Sequence, residues 1–528
     1  MRRSFAGFAF LALLSTGACH QDSRASNPCN RLADAEISGA KIISADVVVP
    51  GGFTPAPSND DGALYKTLPA FCRVQAEATP SSDSHIKIEV WLPQTQTNGR
   101  FLAVGNGGFA GDINYHEMAL AVAKGYSTAS TDTGHTGTAL DASWALGHPE
   151  KIVDFGHRGI HEMTRVAKAV VKASSGSDPK KSYFAGCSNG GRQALMEAQR
   201  YPDDYDGILA GAPANYWTHL VTGSVWDAQA TSALPDSYIP ASKIPAIASA
   251  VDAACDAADG VRDGVVNDPR QCHFRPSSLK CKGADTDRCL TAPQVVALEK
   301  LYGGARDSHG GQIFPGLMPG AEEGEGGWGL WITGTAPEKG LLFYFGSGFF
   351  ANMVYGKADW DFKQASIDDI VKAADSNIAQ TLNATDANLK PFAARGGKLL
   401  LYHGWNDPAI SPLNTVNYYN DVVSALGQGD TDASLRLYMV PGMQHCAGGP
   451  GTDSFGQSGT TAQADPSHDA QLALEQWVEK GTAPSEMIAA KYVDKAVKMT
   501  RPLCAYPRVA KYKGKGSTDD AASFICSD

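Results

Sequence analysis

The sequence is short of positive charge and of long apolar runs. Its 528 residues include 45 lysines and arginines against 56 aspartates and glutamates, a net charge of −11, and its basic cluster is Lys511–Lys515. After residue 19, no apolar run approaches the roughly 20 residues that span a bilayer. These absences argue against nucleic acid as a partner and against a membrane span in the mature chain.

Histidines at metal-ligand spacing are also missing. His135, His157, His161 and His403 form no such cluster, so we expect them in turns or in packing. The glycine-rich stretch 105–111 has no following lysine and no dinucleotide pattern with a downstream acid. No nucleotide or redox cofactor is therefore predicted.

The cysteine count is eleven, and the N-terminal segment accounts for the odd one. Residues 1–19 have two arginines, an apolar run over 5–14 and small residues before Cys19, the pattern of an export signal. Cys19 also ends a lipobox-like Thr-Gly-Ala-Cys, so it is either a lipid attachment site or lost by cleavage near Ala18. The remaining ten cysteines can all pair in an oxidising compartment.

Gly186–Gly190 has the form Gly-x-Ser-x-Gly, between a short strand-like run and a run of helix formers. Flanking glycines permit a turn tight enough to lift a serine hydroxyl clear of a sheet. Ser188 is the candidate nucleophile. In a chain with 56 glycines the pattern alone is weak, so its context must support it.

An acid and a base follow in the order that this architecture uses. Asp407 comes just after a buried-strand run at 398–402, and His445 comes just after a second one at 435–440. We predict that Asp407 orients His445 and that His445 deprotonates Ser188. The alternative is that Asp407 caps a turn and His445 is an ordinary loop residue.

The glycine-rich stretch follows a strand-like run at 100–104. Such a loop can turn a backbone N–H toward a reacting carbonyl oxygen. We predict one oxyanion donor from Gly107 or Gly108 and the other from the backbone amide of Asn189. A tight strand-to-helix turn and a phosphate loop are the alternatives.

Strand and helix patterns alternate along most of the chain, which predicts an α/β fold with a parallel, doubly wound sheet. This alternation of strand and helix patterns is absent from much of the sequence between Ser188 and Asp407. We therefore predict a catalytic domain formed by residues 20–214 and 396–528, and an inserted lid domain formed by residues 215–395.

Cys187 precedes the serine and Cys446 follows the histidine. Cys-Ser, a distant Asp and His-Cys together resemble the tannase and feruloyl esterase family, which includes mono(2-hydroxyethyl) terephthalate hydrolases. The resemblance covers nearly the whole chain after the leader and implies an α/β-hydrolase core with a large lid. It also implies five disulfide pairs, which are Cys29–Cys72, Cys187–Cys446, Cys255–Cys272, Cys281–Cys289 and Cys504–Cys526.

The lid carries three carboxylates and several glycines between Cys255 and Val265. The spacing is not that of an EF-hand, and Asn267 stands where that loop has its bidentate glutamate. The stretch resembles the structural Ca²⁺ loop of the family. The resemblance implies the following ligands: side chains of Asp256, Asp259 and Asp263, and carbonyls of Val261 and Val265. A solvated acidic turn is the alternative.

The resemblance implies a serine carboxylic-ester hydrolase that acts on a small aromatic ester, with galloyl, feruloyl and related acyl groups as candidates. Terephthalate-monoester enzymes grip a free carboxylate with a lid arginine, yet no arginine lies between Arg306 and Arg395. Lys339 could only partly substitute. A peptidase, a non-aryl lipase and a non-catalytic, calcium-dependent extracellular binding protein remain as rivals.

The aromatic residues of the lid are numerous. The expected roles are ordinary core for most and a wall around the acyl group for one or two. They are Trp328, Trp331, Phe343, Tyr344, Phe345, Phe349 and Phe350.

Overall fold

The computed structural model describes Met1 and residues 29–55, 61–234 and 236–528. The predicted export signal and Cys19 lie outside the described residues, apart from Met1. Within the described part of the chain, no helix combines the length and apolarity needed to cross a membrane.

Fifteen strands are assigned in the described chain. They are β1 (Ala40–Val48), β2 (Phe71–Ala78), β3 (Ile86–Pro93), β4 (Phe101–Val104), β5 (Ser127–Thr131), β6 (Ser182–Cys187), β7 (Gly207–Gly211), β8 (Ala305–Arg306), β9 (Gln312–Phe314), β10 (Lys398–Gly404), β11 (Leu435–Val440), β12 (Glu486–Val493), β13 (Ala496–Cys504), β14 (Val509–Tyr512) and β15 (Phe524–Ser527).

Sixteen α-helices accompany them in the same residues. They are α1 (Gly62–Tyr65), α2 (Tyr115–Ala123), α3 (Pro149–Val153), α4 (Gly159–Ser175), α5 (Asn189–Arg200), α6 (Trp217–Ser232), α7 (Ile244–Cys255), α8 (Ala292–Gly303), α9 (Trp328–Trp331), α10 (Leu341–Phe349), α11 (Ile367–Asn377), α12 (Ala379–Leu382), α13 (Lys390–Ala394), α14 (Pro412–Leu426), α15 (Gln428–Ser434) and α16 (Ala470–Lys480).

Nine strands form the central sheet in the order β1-β2-β3-β5-β4-β6-β7-β10-β11. Six neighbouring strands of this sheet are parallel, as predicted, and they are β5, β4, β6, β7, β10 and β11. The prediction is wrong for β1, β2 and β3, which pair antiparallel. Only residues 79–85 join β2 to β3, too few for the crossover that a parallel pair needs.

Helices cover both faces of the sheet. Buried side chains of α4, α5 and α14 share one apolar core with Leu399 and Leu401. Leu400 and Tyr402 belong to a second core, with α2 and α16. The side chains of successive residues of β10 thus point to opposite faces of the sheet, as strand geometry requires. The arrangement confirms the α/β class.

Two of the helices that cover the sheet have clear starting points. A π-helical turn at Asp154–Arg158 precedes α4, which begins at Gly159. The helix α16 begins at Ala470, because the Asp469 side chain accepts the N–H groups of Gln471 and Leu472 and caps it.

Residues 212–397 leave the sheet after β7 and return at β10, and we call them the insertion. They contain α6–α13 and the small β8–β9 hairpin. One apolar core lies wholly within the insertion, and another joins it to Phe109, Trp144 and Phe155 of the sheet domain. The insertion therefore packs directly against the end of the sheet that carries Ser188.

Five disulfides are present, and they are the same five pairs that the resemblance implies. Two of them, Cys255–Cys272 and Cys281–Cys289, lie inside the insertion. The other three lie outside it. None of the five joins the insertion to the rest of the described chain.

Candidate active site

Ser188 occupies the turn between β6 and α5 with a backbone φ of +65° and ψ of −123°. An L-residue adopts this conformation only when its surroundings enforce it. The Ser188 N–H donates to the Gly211 carbonyl at 3.0 Å, and the Ser188 carbonyl accepts from Arg192 and Ala214. A Cβ on Gly186 would lie within 2.8 Å of the Gly190 backbone, so the turn requires glycine there.

Asp407 and His445 are in direct contact. The Nδ1 of His445 lies 2.7 Å from Oδ2 of Asp407, and the N–H groups of Ala409 and Ile410 donate to Oδ1 of the same carboxylate. Asp407 is fully buried. Burial raises the pKa of Asp407, but the charge of His445 and hydrogen bonds from His403 and His445 outweigh it and hold the pKa below its ordinary value. Asp407 is therefore ionised, and Nδ1–H of His445 is the donor.

His403 is a member of this group that the sequence interpretation missed. It is fully buried, and its Nε2 lies 3.1 Å from Oδ2 of Asp407 and 3.1 Å from the Ile410 carbonyl. Its Nδ1 lies 2.7 Å from the hydroxyl of Thr415 on α14. The prediction of a turn or packing role for His403 did not include this contact with Asp407. Its position at the end of a buried strand, four residues before the acid, was the available signal.

The Cys187–Cys446 disulfide joins the turn of Ser188 to the loop of His445, with the two Cα atoms 6.0 Å apart. Ser188 and His445 line a common cavity of about 340 Å³. The ring of Trp331, from the insertion, meets the His445 ring edge to face with centroids 4.9 Å apart. His445 is thus held between the disulfide and the insertion.

Gly107, Gly108 and Asn189 line the same cavity as Ser188. Gly108 has a φ of +51°, and a Cβ there would lie 2.2 Å from the Ala139 carbonyl oxygen. Within the described residues, no backbone carbonyl of a turn or loop accepts a hydrogen bond from the N–H groups of Gly107, Gly108 and Asn189. These N–H groups are available to an oxyanion.

A buried amide pair supports this glycine loop, and the sequence interpretation missed it. Asn106 is 3% exposed, and its Nδ2 donates to the carbonyls of Asp112 and Thr131. Its N–H donates to Oε1 of Gln193 on α5. The loop is therefore tied to the helix that follows Ser188.

The remaining wall of the cavity is apolar and comes largely from the insertion. Among the aromatic residues predicted for the acyl wall, Trp331 and Phe345 line the cavity, whereas Trp328, Phe349 and Phe350 are buried in core. No lysine, arginine, aspartate or glutamate lies among the described lining residues. Lys339 is accordingly outside the cavity wall.

In the predicted calcium loop, side-chain carboxylates accept hydrogen bonds from backbone N–H groups of the same loop. Oδ1 of Asp256 accepts from the N–H groups of Asp263 and Gly264, and Oδ1 of Asp259 accepts from Val261. Burial raises the pKa of Asp259, and the charges of Asp263 and Asp256 raise it further. The carboxylates therefore lie close enough to repel one another.

The donor set of this loop fits a hard cation in part. Among the described residues, no donor pairs with the second oxygens of Asp256 and Asp259 or with the Val261 and Val265 carbonyls. Asp263 is different, because its Oδ2 accepts from Arg501 at 2.7 Å. Asp263 can bind an ion only by exchanging that contact.

Two groups of three His, Cys, Asp or Glu side chains lie close enough together in the described chain to hold an ion, and the carboxylates of Asp256, Asp259 and Asp263 form neither of them. Cys281, Asp285 and Cys289 form one, but its two sulfurs are joined in a disulfide. The other is His161, Glu197 and Asp204. Burial raises the pKa of Glu197 well above its ordinary value, and His161 already pairs with Asp204 at 2.7 Å. A protonated Glu197 is a poor metal ligand.

A serine on a sharp strand-to-helix turn, followed by an acid and a histidine after later parallel strands, defines the α/β-hydrolase class. The family described as "Tannase and feruloyl esterase" matches residues 72–527. The chain belongs to this family and is a carboxylic ester hydrolase, with the predicted α/β-hydrolase fold.

Individual relatives agree with this assignment. The chain is 43% identical to an uncharacterized esterase of Xanthomonas campestris pv. campestris, over 98% of this chain and 94% of the relative. It is 35% identical to a probable feruloyl esterase B of Aspergillus clavatus, over 90% and 91%.

Solved structures of the same family have the same fold. The crystal structure of feruloyl esterase B from Aspergillus oryzae is 30% identical and superposes with a TM-score of 0.87, covering 95% of this chain and 99% of that one. Tannin acyl hydrolase from Aspergillus niger, 24% identical, has a TM-score of 0.74 over 93% and 92% and supports the fold alone.

Proposed function

We propose that Ser188, Asp407 and His445 are the nucleophile, the orienting acid and the general base of a serine esterase. The observation that carries this proposal is the buried Asp407–His445 hydrogen bond beside the cavity that Ser188 also lines. When the His445 ring is neutral and its Nδ1–H donates to Asp407, the nitrogen without a hydrogen is Nε2. That is the atom that accepts a serine proton.

The reaction then proceeds as two acyl transfers. His445 takes the proton of Ser188 while Oγ attacks the ester carbonyl, and the N–H groups of Asn189 and of Gly107 or Gly108 hold the developing oxyanion. His445 next protonates the leaving alcohol. Water attacks the acyl-enzyme by the same route, which regenerates Ser188 and releases the acid.

An uncharged aromatic acyl group is the best substrate class for this cavity. Its volume of about 340 Å³ and its wall of Trp331, Phe345 and aliphatic side chains suit a single substituted ring. The missing cation disfavours a terephthalate half-ester, whose free carboxylate would lose its hydration without a partner. The names of the feruloyl esterase relatives support hydroxycinnamoyl esters, and the family description, which includes tannase, supports galloyl esters.

The insertion, with proposed domain limits 215–395, acts as the lid over this cavity and carries the proposed Ca²⁺ loop. Asp256, Asp259, Val261 and Val265 would hold the ion, with Asp263 joining after release from Arg501. The ion would be structural, because the loop contacts the C-terminal strands rather than the cavity. The five disulfides support export, with Cys19 either a lipid attachment site or lost by cleavage near Ala18.

A panel of methyl gallate, methyl ferulate, a terephthalate monoester, p-nitrophenyl alkanoates and peptides tests the proposal. We expect turnover of the aryl esters, labelling by a fluorophosphonate probe, and loss of both in Ser188→Ala. Activity confined to peptides or alkanoates would reject the aromatic assignment. A purified wild-type protein that neither turns over esters nor reacts with the probe would instead support a binding protein.

A further inference from the structure

The protonation of the His403 ring follows from its neighbours. Its Nε2 faces two oxygens that only accept hydrogen bonds, Oδ2 of Asp407 and the carbonyl of Ile410, each 3.1 Å away. Nε2 must therefore carry the hydrogen. In the neutral ring, Nδ1 accepts from the Thr415 hydroxyl at 2.7 Å, and this contact fixes the tautomer.

Asp407 consequently has four donors. Two backbone N–H groups occupy Oδ1, and His445 and His403 share Oδ2. A carboxylate with both oxygens engaged cannot rotate, and it stays ionised although it is fully buried. Within the described chain, His403 and His445 are the titratable groups that hydrogen-bond Asp407, and on α14 the group that faces His403 is the uncharged Thr415.

We propose that His403 is a positioning residue for the Asp407–His445 pair, and that Thr415 keeps it in the donating tautomer. This rests on the proposed roles of Asp407 and His445. His403 touches neither the cavity nor Ser188 in the described structure, so it acts only through the carboxylate. Without its N–H, the negative charge of Oδ2 acts on His445 alone, and one of the contacts that fix the carboxylate is lost.

Two substitutions separate the hydrogen bond from the space that the ring fills. Glutamine can place its Nε2–H₂ near the position of the imidazole Nε2, whereas leucine fills volume without a donor. We expect His403→Leu to lower kcat on the order of 10- to 100-fold with little change in KM. We expect His403→Gln to retain most of the activity.

The pH profile distinguishes positioning from a general structural role. When Asp407 loses a donor, its charge stabilises the protonated form of His445 more strongly, and Asp407 itself protonates more readily. Both effects move the acid limb of kcat/KM to higher pH in His403→Leu, while His403→Gln keeps the wild-type profile. Rates are normalised to the fraction of sites labelled by the fluorophosphonate probe, so misfolded protein does not contribute.

Thr415→Val and Thr415→Ser provide the second pair if the His403 variants fail to fold. Valine removes the hydroxyl, so we expect a smaller shift of the acid limb in the same direction, while serine preserves the profile. A valine variant with the wild-type profile, or a folded His403→Leu with wild-type kcat and acid limb, would overturn this inference. Residual activity in Ser188→Ala would instead overturn the proposed function.

Discussion

Arg192 is a fully buried cation that pairs with no carboxylate in the described chain. Its guanidinium donates to Oδ1 of Asn189 and to the carbonyls of Phe155, Gly156 and Leu382. Burial lowers the pKa of Arg192 to about 9. The side chain thus links Asn189, the residue after Ser188, to Leu382 of the insertion.

The planar guanidinium group of Arg192 has contacts that a lysine side chain cannot reproduce. Lysine cannot reach four acceptors at once, so Arg192→Lys should lower the free energy of unfolding by about 3 kcal/mol or more. Arg200→Lys, at an exposed position on the same helix, should change it by no more than about 0.5 kcal/mol. Urea denaturation measures both, and equal losses would show that Arg192 has no special structural role.

Glu322 predicts a pH dependence of stability. Burial raises its pKa to about 7, against lowering contributions from the Tyr302 hydroxyl and the Gly320 N–H. Between its ordinary pKa of 4.5 and 7, the folded protein binds one proton more than the unfolded chain. The free energy of unfolding therefore falls as pH rises through this window, and above pH 7 this contribution is constant.

Glu322→Gln should remove that dependence. Its stability relative to wild type should increase from pH 4.5 to pH 7, by about 3 kcal/mol at most. Glutamine keeps an oxygen that can accept from Gly320. Urea denaturation at several pH values measures the difference, and parallel stability curves for the two proteins would contradict this prediction.

At the scale of single residues, the sequence indicated Ser188, Asp407 and His445 because each follows a recognisable strand. It did not indicate His403 or Arg192, whose partners are defined by three-dimensional contacts. His403 reads as an ordinary strand end until Thr415 and Asp407 are seen beside it. A buried arginine cannot be told from an exposed one by composition.

At the scale of single elements, the loop after β4 contains two adjacent glycines that should respond differently to an added side chain. A Cβ on Gly108 would clash with the Ala139 carbonyl and would also be strained at a φ of +51°, whereas a Cβ on Gly107 meets nothing within 4 Å. The two positions are adjacent and line the same cavity. They therefore form a matched pair.

Gly108→Ala should shift this loop and displace the proposed oxyanion donors. We expect kcat to fall on the order of 100-fold and the melting temperature to drop. Gly107→Ala should melt like wild type. Thermal melts and initial rates on methyl ferulate measure both, and an unchanged Gly108→Ala would refute the proposed role of the loop.

The parallel strands of the sheet were predictable because their residues are apolar on both faces, as in β10. The antiparallel edge was not recognised. Arg73 of β2 and Glu89 of β3 are charged residues inside strands, and they are accommodated by pairing with each other across the two strands. That compensation is visible only once the strands are paired.

At the scale of the whole molecule, the Cys187–Cys446 disulfide joins positions 259 residues apart. Replacing both cysteines by serine should destabilise the protein by about 2–5 kcal/mol and lower kcat, since the link restrains both the Ser188 turn and the His445 loop. Replacing Cys281 and Cys289, which close a short loop in the insertion, should affect stability less and kcat little. Thermal melts and rates compare the two double variants.

Calcium removal provides a separate test at the same scale. If the loop at 256–265 binds Ca²⁺, EGTA should lower the melting temperature and excess Ca²⁺ should restore it, with about 2.7 kcal/mol of stabilisation at 100 times Kd. Asp259→Asn should abolish this response, while Asp421→Asn on α14 should preserve it. A melting temperature that is insensitive to both EGTA and Ca²⁺ would refute the site.

The interior of the insertion was beyond sequence interpretation. Its helices are short, and its contacts with the sheet domain, such as Trp331 against His445, join residues far apart in the chain. Its existence was predictable, because the strand rhythm stops after β7 and resumes at β10. Its architecture was not, because no local period describes it.

The two ends of the insertion are neighbours, since β7 and β10 are hydrogen-bonded to each other and the Ala212 N–H donates to the Tyr402 carbonyl. None of the disulfides among the described residues ties the insertion to its surroundings. The insertion is therefore an exchangeable segment. If the equivalent segment of a relative replaced it, its junctions with β7 and β10 would stay in place. Substrate preference could then diversify by recombination, without any change in the residues that perform the chemistry.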